Sequence, residues 1–179
     1  MDAVQANEEK LLSALKWHGL PVWGRPPART LALEEALALG VGLARRDSAV
    51  CRGWPVMFAR NRAHVNVGEL VRLAGDLGEV RACGFLLWVA AKVMGDEKLL
   101  AKAESLRSES LPEPEYFDRE QSGRGGDFGR VFRRLSRRKT EEFARRWSFW
   151  LGTSFDNFFG ECYRKHMGVW DGVQRKTVQ

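Results

Sequence analysis

The sequence predicts an all-α protein: a multi-helix bundle, then a linker, then a C-terminal basic and aromatic helical unit. Apolar residues recur at helical spacing through residues 1–107, and glycines or prolines interrupt the pattern at intervals of helix length. No segment in that range alternates with a period of two, and no Asn-Gly or Asp-Gly pair lies there between β-branched runs. The 179 residues, 44% of them hydrophobic, are enough to bury a sizeable core.

The first two helices are separated by a proline-rich connection. Residues 2–18 form the first predicted helix, which Gly19 ends, and the prolines that follow favour an extended chain. The second predicted helix spans residues 30–46. Thr30 is its candidate N-cap, and Arg45 with Arg46 lies in the last turn, where a cation complements the helix dipole.

The third and fourth helices also begin with capping residues. Asp47 or Ser48 is expected to cap the third, and Pro55 inside its apolar pattern predicts a short turn with a restart at the proline, or a kink. Asn66 followed by Glu69 predicts the start of the fourth helix.

Residues 79–94 are apolar nearly all round, which predicts a central helix buried on most sides and ended by Gly95. Asp96 is expected to cap one further helix before the linker. The predicted division is a helical domain at 1–107, a linker at 108–126 and a basic and aromatic unit at 127–179. Tyr116 and Phe117 are candidate anchors within the linker.

Charge is unevenly distributed along the chain, whose formal net charge is +6. Residues 96–120 hold eight acidic and four basic residues, whereas residues 124–146 hold nine basic and three acidic ones. A basic module joined through an acidic connector suggests a nucleic acid or an acidic protein as partner, although a charged face is often only solvated.

The basic stretch from Asp127 to Trp150 is the main functional candidate. At about 100° per residue, one side of a helix carries an apolar stripe that we expect to pack against the protein, formed by Phe128, Val131, Phe132 and Leu135. Arginines lie on the opposite side. The candidate residues for binding a protein partner or a nucleic acid are Arg130, Arg133, Arg134, Arg137, Arg138, Arg145, Arg146, Trp147 and Trp150.

The segment that follows is unusually aromatic. Residues 143–170 hold nine aromatic side chains, and a last helix would carry Phe155, Phe158, Phe159, Cys162 and His166 on one face. These rings must be buried in the first domain, in a dimer or in a partner.

Searches for catalytic and metal-binding motifs find none. The chain has no GxSxG, Walker A or HExxH motif, and the run GRGGDFG has neither the dinucleotide nor the P-loop spacing. Cys162 and His166 lie four residues apart, but a second ligand pair is missing, so core packing is favoured over a metal site. Arg60 and Arg62 do not have the RxxxxH spacing to His64 that helical ribonuclease toxins use. No catalytic residue, metal ligand or cofactor is predicted.

Three widely spaced cysteines without a CxxC pair predict a reducing, cytoplasmic setting. The acidic start MDAVQANEEK is unlike a signal peptide. The longest apolar run, residues 82–91, is shorter than the roughly 20 residues that span a bilayer, so no membrane association is predicted.

Residues 29–96 read RTLALEEALALGVGLARRDSAVCRGWPVMFARNRAHVNVGELVRLAGDLGEVRACGFLLWVAAKVMGD. This stretch resembles helical antitoxin components that are encoded beside nucleotidyltransferase-type toxins. The resemblance implies a non-enzymatic protein that wraps a toxin and blocks its substrate entrance, and it transfers no functional residue. The leading hypothesis is an antitoxin-like regulator that docks a protein partner through its C-terminal unit. The alternative is a protein that binds RNA or DNA through the arginine-rich helix, and homo-oligomers are compatible with either.

Overall fold

A computed structural model describes residues 3–23, 26–107 and 113–168, and the predicted all-α class is confirmed. The bundle helices are α1 (Ala3–Trp17), α2 (Leu33–Ala44), α3 (Ser48–Arg60), α4 (Val67–Asp76), α5 (Val80–Met94) and α6 (Glu97–Glu104). The rest comprises β1 (Glu115–Tyr116), α7 (Arg119–Gly123), α8 (Gly126–Lys139), α9 (Glu142–Arg145), β2 (Phe149–Trp150), a π-helical turn (Asp156–Gly160) and α10 (Glu161–Met167).

Three of the predicted N-caps are confirmed. The Asp47 side chain accepts from the backbone N–H of Ala49 at 2.7 Å. Asn66 and Asp96 accept from backbone N–H groups three residues ahead, at 3.1 and 2.9 Å. The prediction for Thr30 is wrong, because α2 starts at Leu33 behind Ala32, which has no side-chain acceptor.

Helix α3 runs continuously from Ser48 to Arg60, so it does not restart at Pro55 as one expectation had it. Proline in a helix interior costs roughly 3 kcal/mol because it removes one backbone hydrogen bond. Burial offsets this cost: Trp54 is fully buried, and its Nε1 donates to the Leu37 carbonyl at 3.1 Å.

Helix α5 is the centre of the core, as predicted, with every residue from 82 to 91 buried. It packs against α2, α3, α4 and α6. Gly95 ends it with φ +68°, a conformation that glycine adopts without a Cβ clash. No helix in the described ranges has both the length and the apolar character needed to cross a membrane.

A two-stranded parallel sheet, which the sequence did not predict, joins the predicted linker to the C-terminal unit. Glu115 pairs with Phe149 and Tyr116 with Trp150. Phe117, directly after β1, is 1% exposed, so the anchor expected within the linker is present.

One aromatic cluster spans the boundary between the predicted domain and C-terminal unit. The Phe85 ring of α5 lies 5.1 Å from Phe117, 5.5 Å from Phe149 and 6.1 Å from Phe143, measured between centroids. The C-terminal aromatics in the described residues therefore pack largely on the bundle itself, the first of the three alternatives. Trp170 lies outside the described residues.

A buried ion cluster fastens β1 to the bundle. Arg45 is 1% exposed and pairs with Glu79 at 3.3 Å and with Glu115 at 3.0 Å. Its remaining N–H groups donate to the carbonyl oxygens of Tyr116 at 3.1 Å and Phe117 at 3.3 Å. Arg45 was expected only to complement the dipole of α2. In the structure it also contacts Glu79 and residues 115–117, which are far apart in the sequence.

Replacing Gly84 by alanine tests the packing of the C-terminal unit on α5. A Cβ at Gly84 would meet Cζ3 of the Trp147 ring at 2.7 Å, so we expect Gly84→Ala to lower the free energy of unfolding by about 1–3 kcal/mol. Gly42→Ala is the control, because no described atom outside its own stretch of helix lies within 4 Å of its Cβ position, and alanine gains about 0.5–1 kcal/mol in a helix interior. Equal stability of the two variants in urea unfolding would contradict this packing.

Candidate partner-binding surface

The covered side of helix α8 carries small residues rather than the apolar stripe: the chain just before the helix covers Gly129, and Gly152 covers Ser136. Gly129 and Ser136 are its buried positions. The carbonyl oxygen of Arg124 occupies the place where a Cβ of residue 129 would lie, and a Cβ at Gly152 would be 2.8 Å from the Ser136 Cα. These close approaches fix which side of the helix is covered.

The apolar stripe of α8 faces outward, so the expectation that it packs against the protein is wrong. Phe128 is 57% exposed, Val131 42% and Leu135 41%. Phe132 is half-buried and stacks on Phe128 at 6.5 Å between ring centroids. Three exposed large apolar side chains on one helix face form an unusual patch, because scattered single residues are the common case.

The predicted arginines differ in their surroundings. Arg133 points inward and donates to the carbonyl oxygen of Ser122 at 2.6 Å. Arg130 pairs with Asp127 in an exposed contact of small energetic value. Arg134 and Arg138 are exposed, and within the described part of the chain neither has a carboxylate at salt-bridge distance.

An open groove of about 490 Å³ runs along the arginine side of α8. The Arg137 guanidinium lies 5.6 Å from the centroid of the Tyr116 ring, a cation–π distance. The buried ion cluster holds Tyr116 in place, since Arg45 bonds its carbonyl. The groove is lined by Tyr116, Arg130, Arg133, Arg134, Arg137 and Arg138.

Arg134 and Arg138 border the apolar stripe, whereas all the arginines of this helix were predicted from the sequence to lie opposite it. Arg134 lies three residues after Val131, and Arg138 three after Leu135, a spacing that places side chains side by side. We call this continuous outward area the α8 surface. It consists of Phe128, Val131 and Leu135 together with Arg130, Arg134, Arg137 and Arg138.

The two predicted tryptophans lie away from this surface. Trp147 is 1% exposed and its ring packs over Gly84, so its assignment to a binding surface is wrong. Trp150 is half-buried in β2. Both were predicted site residues because aromatic rings beside arginines can stack on unpaired bases, although their spacing is also that of core residues. Trp147 is in fact a core residue.

The two predicted arginines after α8 make intramolecular contacts. Arg145 Nε donates to the Thr140 carbonyl at 3.1 Å, and Arg146 pairs with Glu104 of α6 at 3.1 Å. Both side chains remain exposed, so they border the bundle and extend the basic area beyond α8.

Two of the three cysteines, Cys51 and Cys83, are buried. Burial raises the pKa of Cys83 to about 12 and raises the pKa of Cys51 further, so neither thiol is a reactive thiolate near neutral pH. No group of three or more His, Cys, Asp or Glu side chains with metal-binding geometry occurs among the described residues.

No protein-family model, curated protein or solved structure matches this chain. The chemistry of the α8 surface is therefore inferred from its own residues. It offers apolar contact area and arginine donors side by side on one rigid helix.

Proposed function

We propose that this chain is a non-enzymatic binding protein that docks an acidic protein partner through the α8 surface. The observation that carries the proposal is the exposed apolar stripe directly beside arginines that lack carboxylate partners among the described residues. Protein interfaces combine these features, with a desolvated apolar centre and arginine among the enriched residues.

The chemistry of the surface sets what the partner must present. The partner must present an apolar strip that packs on Phe128, Val131 and Leu135. It must also present carboxylates, along the border of that strip, that pair with Arg134 and Arg138. A phosphate backbone would neutralise the arginines but would leave the apolar side chains in water. For that reason the surface favours a protein over a nucleic acid.

The resemblance of residues 29–96 to helical antitoxin components supports a more specific version of the proposal. In that version the chain is an antitoxin-like regulator, and its partner is a toxin encoded by an adjacent gene. The α8 surface would then contact the toxin. Co-expression of the chain with the tagged products of its gene neighbours tests this version, and failure of every neighbour to co-purify would contradict it.

Charge reversal at the arginines is expected to weaken the complex chiefly through slower association. Arg134→Glu combined with Arg138→Glu should lower the association rate constant at least about tenfold at low salt, since complementary charge steers encounter. Stopped-flow or surface-binding kinetics with the co-purifying partner measure this.

The matched control is Lys98→Glu combined with Lys102→Glu on α6, two exposed cations with the same four-residue spacing and the same total charge change. An equal loss in both pairs would show that only the net charge matters, and it would remove α8 as the docking surface.

A second candidate function, nucleic-acid binding, is supported by the groove of arginines beside Tyr116. Phosphates would bind the guanidinium groups, and the Tyr116 ring offers a stacking surface where it is exposed. Binding of single-stranded RNA or duplex DNA that falls steeply with salt would support this candidate. Binding that is absent or independent of salt would exclude it.

A further inference from the structure

A second concave site lies where α10 packs on α3. Its volume is about 140 Å³, below the 300–1,000 Å³ typical of pockets for drug-sized ligands. It therefore has room for one small polar group. The pocket is lined by Pro21, Ala49, Arg52, Asn157, Glu161, Cys162, Lys165 and His166.

The pocket holds more positive than negative charge. Arg52 comes from α3 and Lys165 from α10, and among the described residues neither has a carboxylate at salt-bridge distance. The Arg52 guanidinium lies 6.0 Å from the centroid of the Phe158 ring. Glu161 is the one acidic side chain among the described lining residues, so Arg52 and Lys165 outnumber it there.

Arg60 of α3 adds to this surplus from beside the pocket. Its two terminal nitrogens donate to the carbonyl oxygens of Gly19 at 2.6 Å and His166 at 3.2 Å. Carbonyl acceptors satisfy its N–H groups but leave its charge unneutralised. Two cations from two packed helices thus line the pocket, and a third lies close to its His166.

The same cations act on the ring of His166. Burial lowers the pKa of His166, and the charges of Arg60, Lys165 and Arg52 lower it further. At neutral pH the imidazole is therefore uncharged and offers one N–H as a hydrogen-bond donor. The Asn157 side-chain amide, which also lines the pocket, can supply a further donor.

We propose that the pocket between α3 and α10 binds a phosphate group, held by Arg52 and Lys165 and oriented by Asn157 and His166. Arginine and lysine from two different elements bind a compact oxyanion through charge-assisted hydrogen bonds. The group can belong to free phosphate or to the terminal phosphate of a mononucleotide, because the pocket volume admits the phosphoryl group alone. The pocket shares no lining residue with the α8 surface.

A bound phosphate would contact both α3 and α10 and would therefore hold α10 against the bundle. A ligand that binds only the folded chain stabilises it in proportion to the logarithm of its concentration over its dissociation constant. The thermal midpoint should therefore rise with phosphate and not with chloride at matched ionic strength. In the same titration the pKa of His166 should rise, because a bound anion opposes the three neighbouring cations.

The test is a titration of the full chain with inorganic phosphate and, in a second arm, with adenosine monophosphate. Nuclear magnetic resonance follows the imidazole protons, and His166→Gln assigns the responding ring. Arg52→Gln and Lys165→Gln should each weaken binding about tenfold or more, whereas Lys98→Gln should leave it unchanged.

Tighter binding of the mononucleotide would identify a nucleotide phosphate as the source, and equal binding would identify free phosphate. Absence of a His166 response in both arms up to tens of millimolar would overturn the proposal, since tighter affinities are typical of built phosphate sites. An undiminished response in Arg52→Gln and Lys165→Gln would also overturn it.

Discussion

Replacing Arg45 by alanine is expected to lower the free energy of unfolding by about 3–5 kcal/mol, the largest stability effect of the substitutions considered. Among the described residues, the substitution would leave the buried Glu79 with Arg119, which is half exposed, as its one ion-pair partner. The carbonyl oxygens of Tyr116 and Phe117 would also lose their Arg45 donors. Urea unfolding at neutral pH measures the change.

Arg46→Ala is the matched control, since the neighbouring arginine pairs with Glu8 at 2.7 Å on the surface. An exposed pair is worth at most about 1 kcal/mol, so the control should be nearly neutral. If the two variants unfold within 1 kcal/mol of each other, the buried cluster does not hold β1 to the bundle.

The contribution of this cluster should also depend on pH. Burial raises the pKa of Glu115, but hydrogen bonds and charge from Arg45 and Arg81 outweigh burial and hold the pKa below its ordinary value of 4.5. A carboxyl with a lowered folded-state pKa stabilises the fold above its unfolded-state pKa, and this contribution disappears as the pH falls through the folded-state pKa. The stability difference between wild type and Arg45→Ala should therefore shrink below about pH 4.

The combined substitution Phe128→Gln and Leu135→Gln is expected to weaken partner binding about 100-fold or more. Central apolar side chains of an interface cost 2 kcal/mol or more each when removed, and the loss should appear mainly as faster dissociation. Because both side chains are exposed in the free chain, the free energy of unfolding should change by no more than about 0.5 kcal/mol per site.

Leu77→Gln supplies the control for this pair, as Leu77 is 47% exposed but lies at the end of α4. It should leave the affinity unchanged. Full affinity in the α8 double variant would mean that the apolar stripe is not part of the interface, whereas loss of affinity in Leu77→Gln would point to a general surface effect.

The features that could be predicted from the sequence are those set by neighbours in the chain. Asp47, Asn66 and Asp96 cap their helices through contacts with residues two or three positions away, so local chemistry is sufficient. Thr30 shows the limit of such reasoning, because a capping residue type was present but the helix started three residues later. The parallel pairing of β1 with β2 joins residues 34 positions apart, and two-residue strands have no periodicity to detect.

The orientation of α8 illustrates why the site itself was only partly predictable. Helical periodicity grouped the apolar residues of the stripe on one face, but it set the arginines opposite them, whereas Arg134 and Arg138 border the stripe. It also does not say which side of the helix is covered. The covered side is set by the approach of Arg124 and Gly152 to Gly129 and Ser136. Two small residues seven positions apart on one face were the available sequence signal, since small residues permit close packing.

The most direct test of the central claim is amide hydrogen exchange of the chain alone and in complex with the protein that co-purifies from its gene neighbours. Docking through the α8 surface predicts slower exchange across residues 126–139, with little change across the exposed helix at residues 67–76. Unchanged exchange in residues 126–139 within a fully formed complex would contradict it.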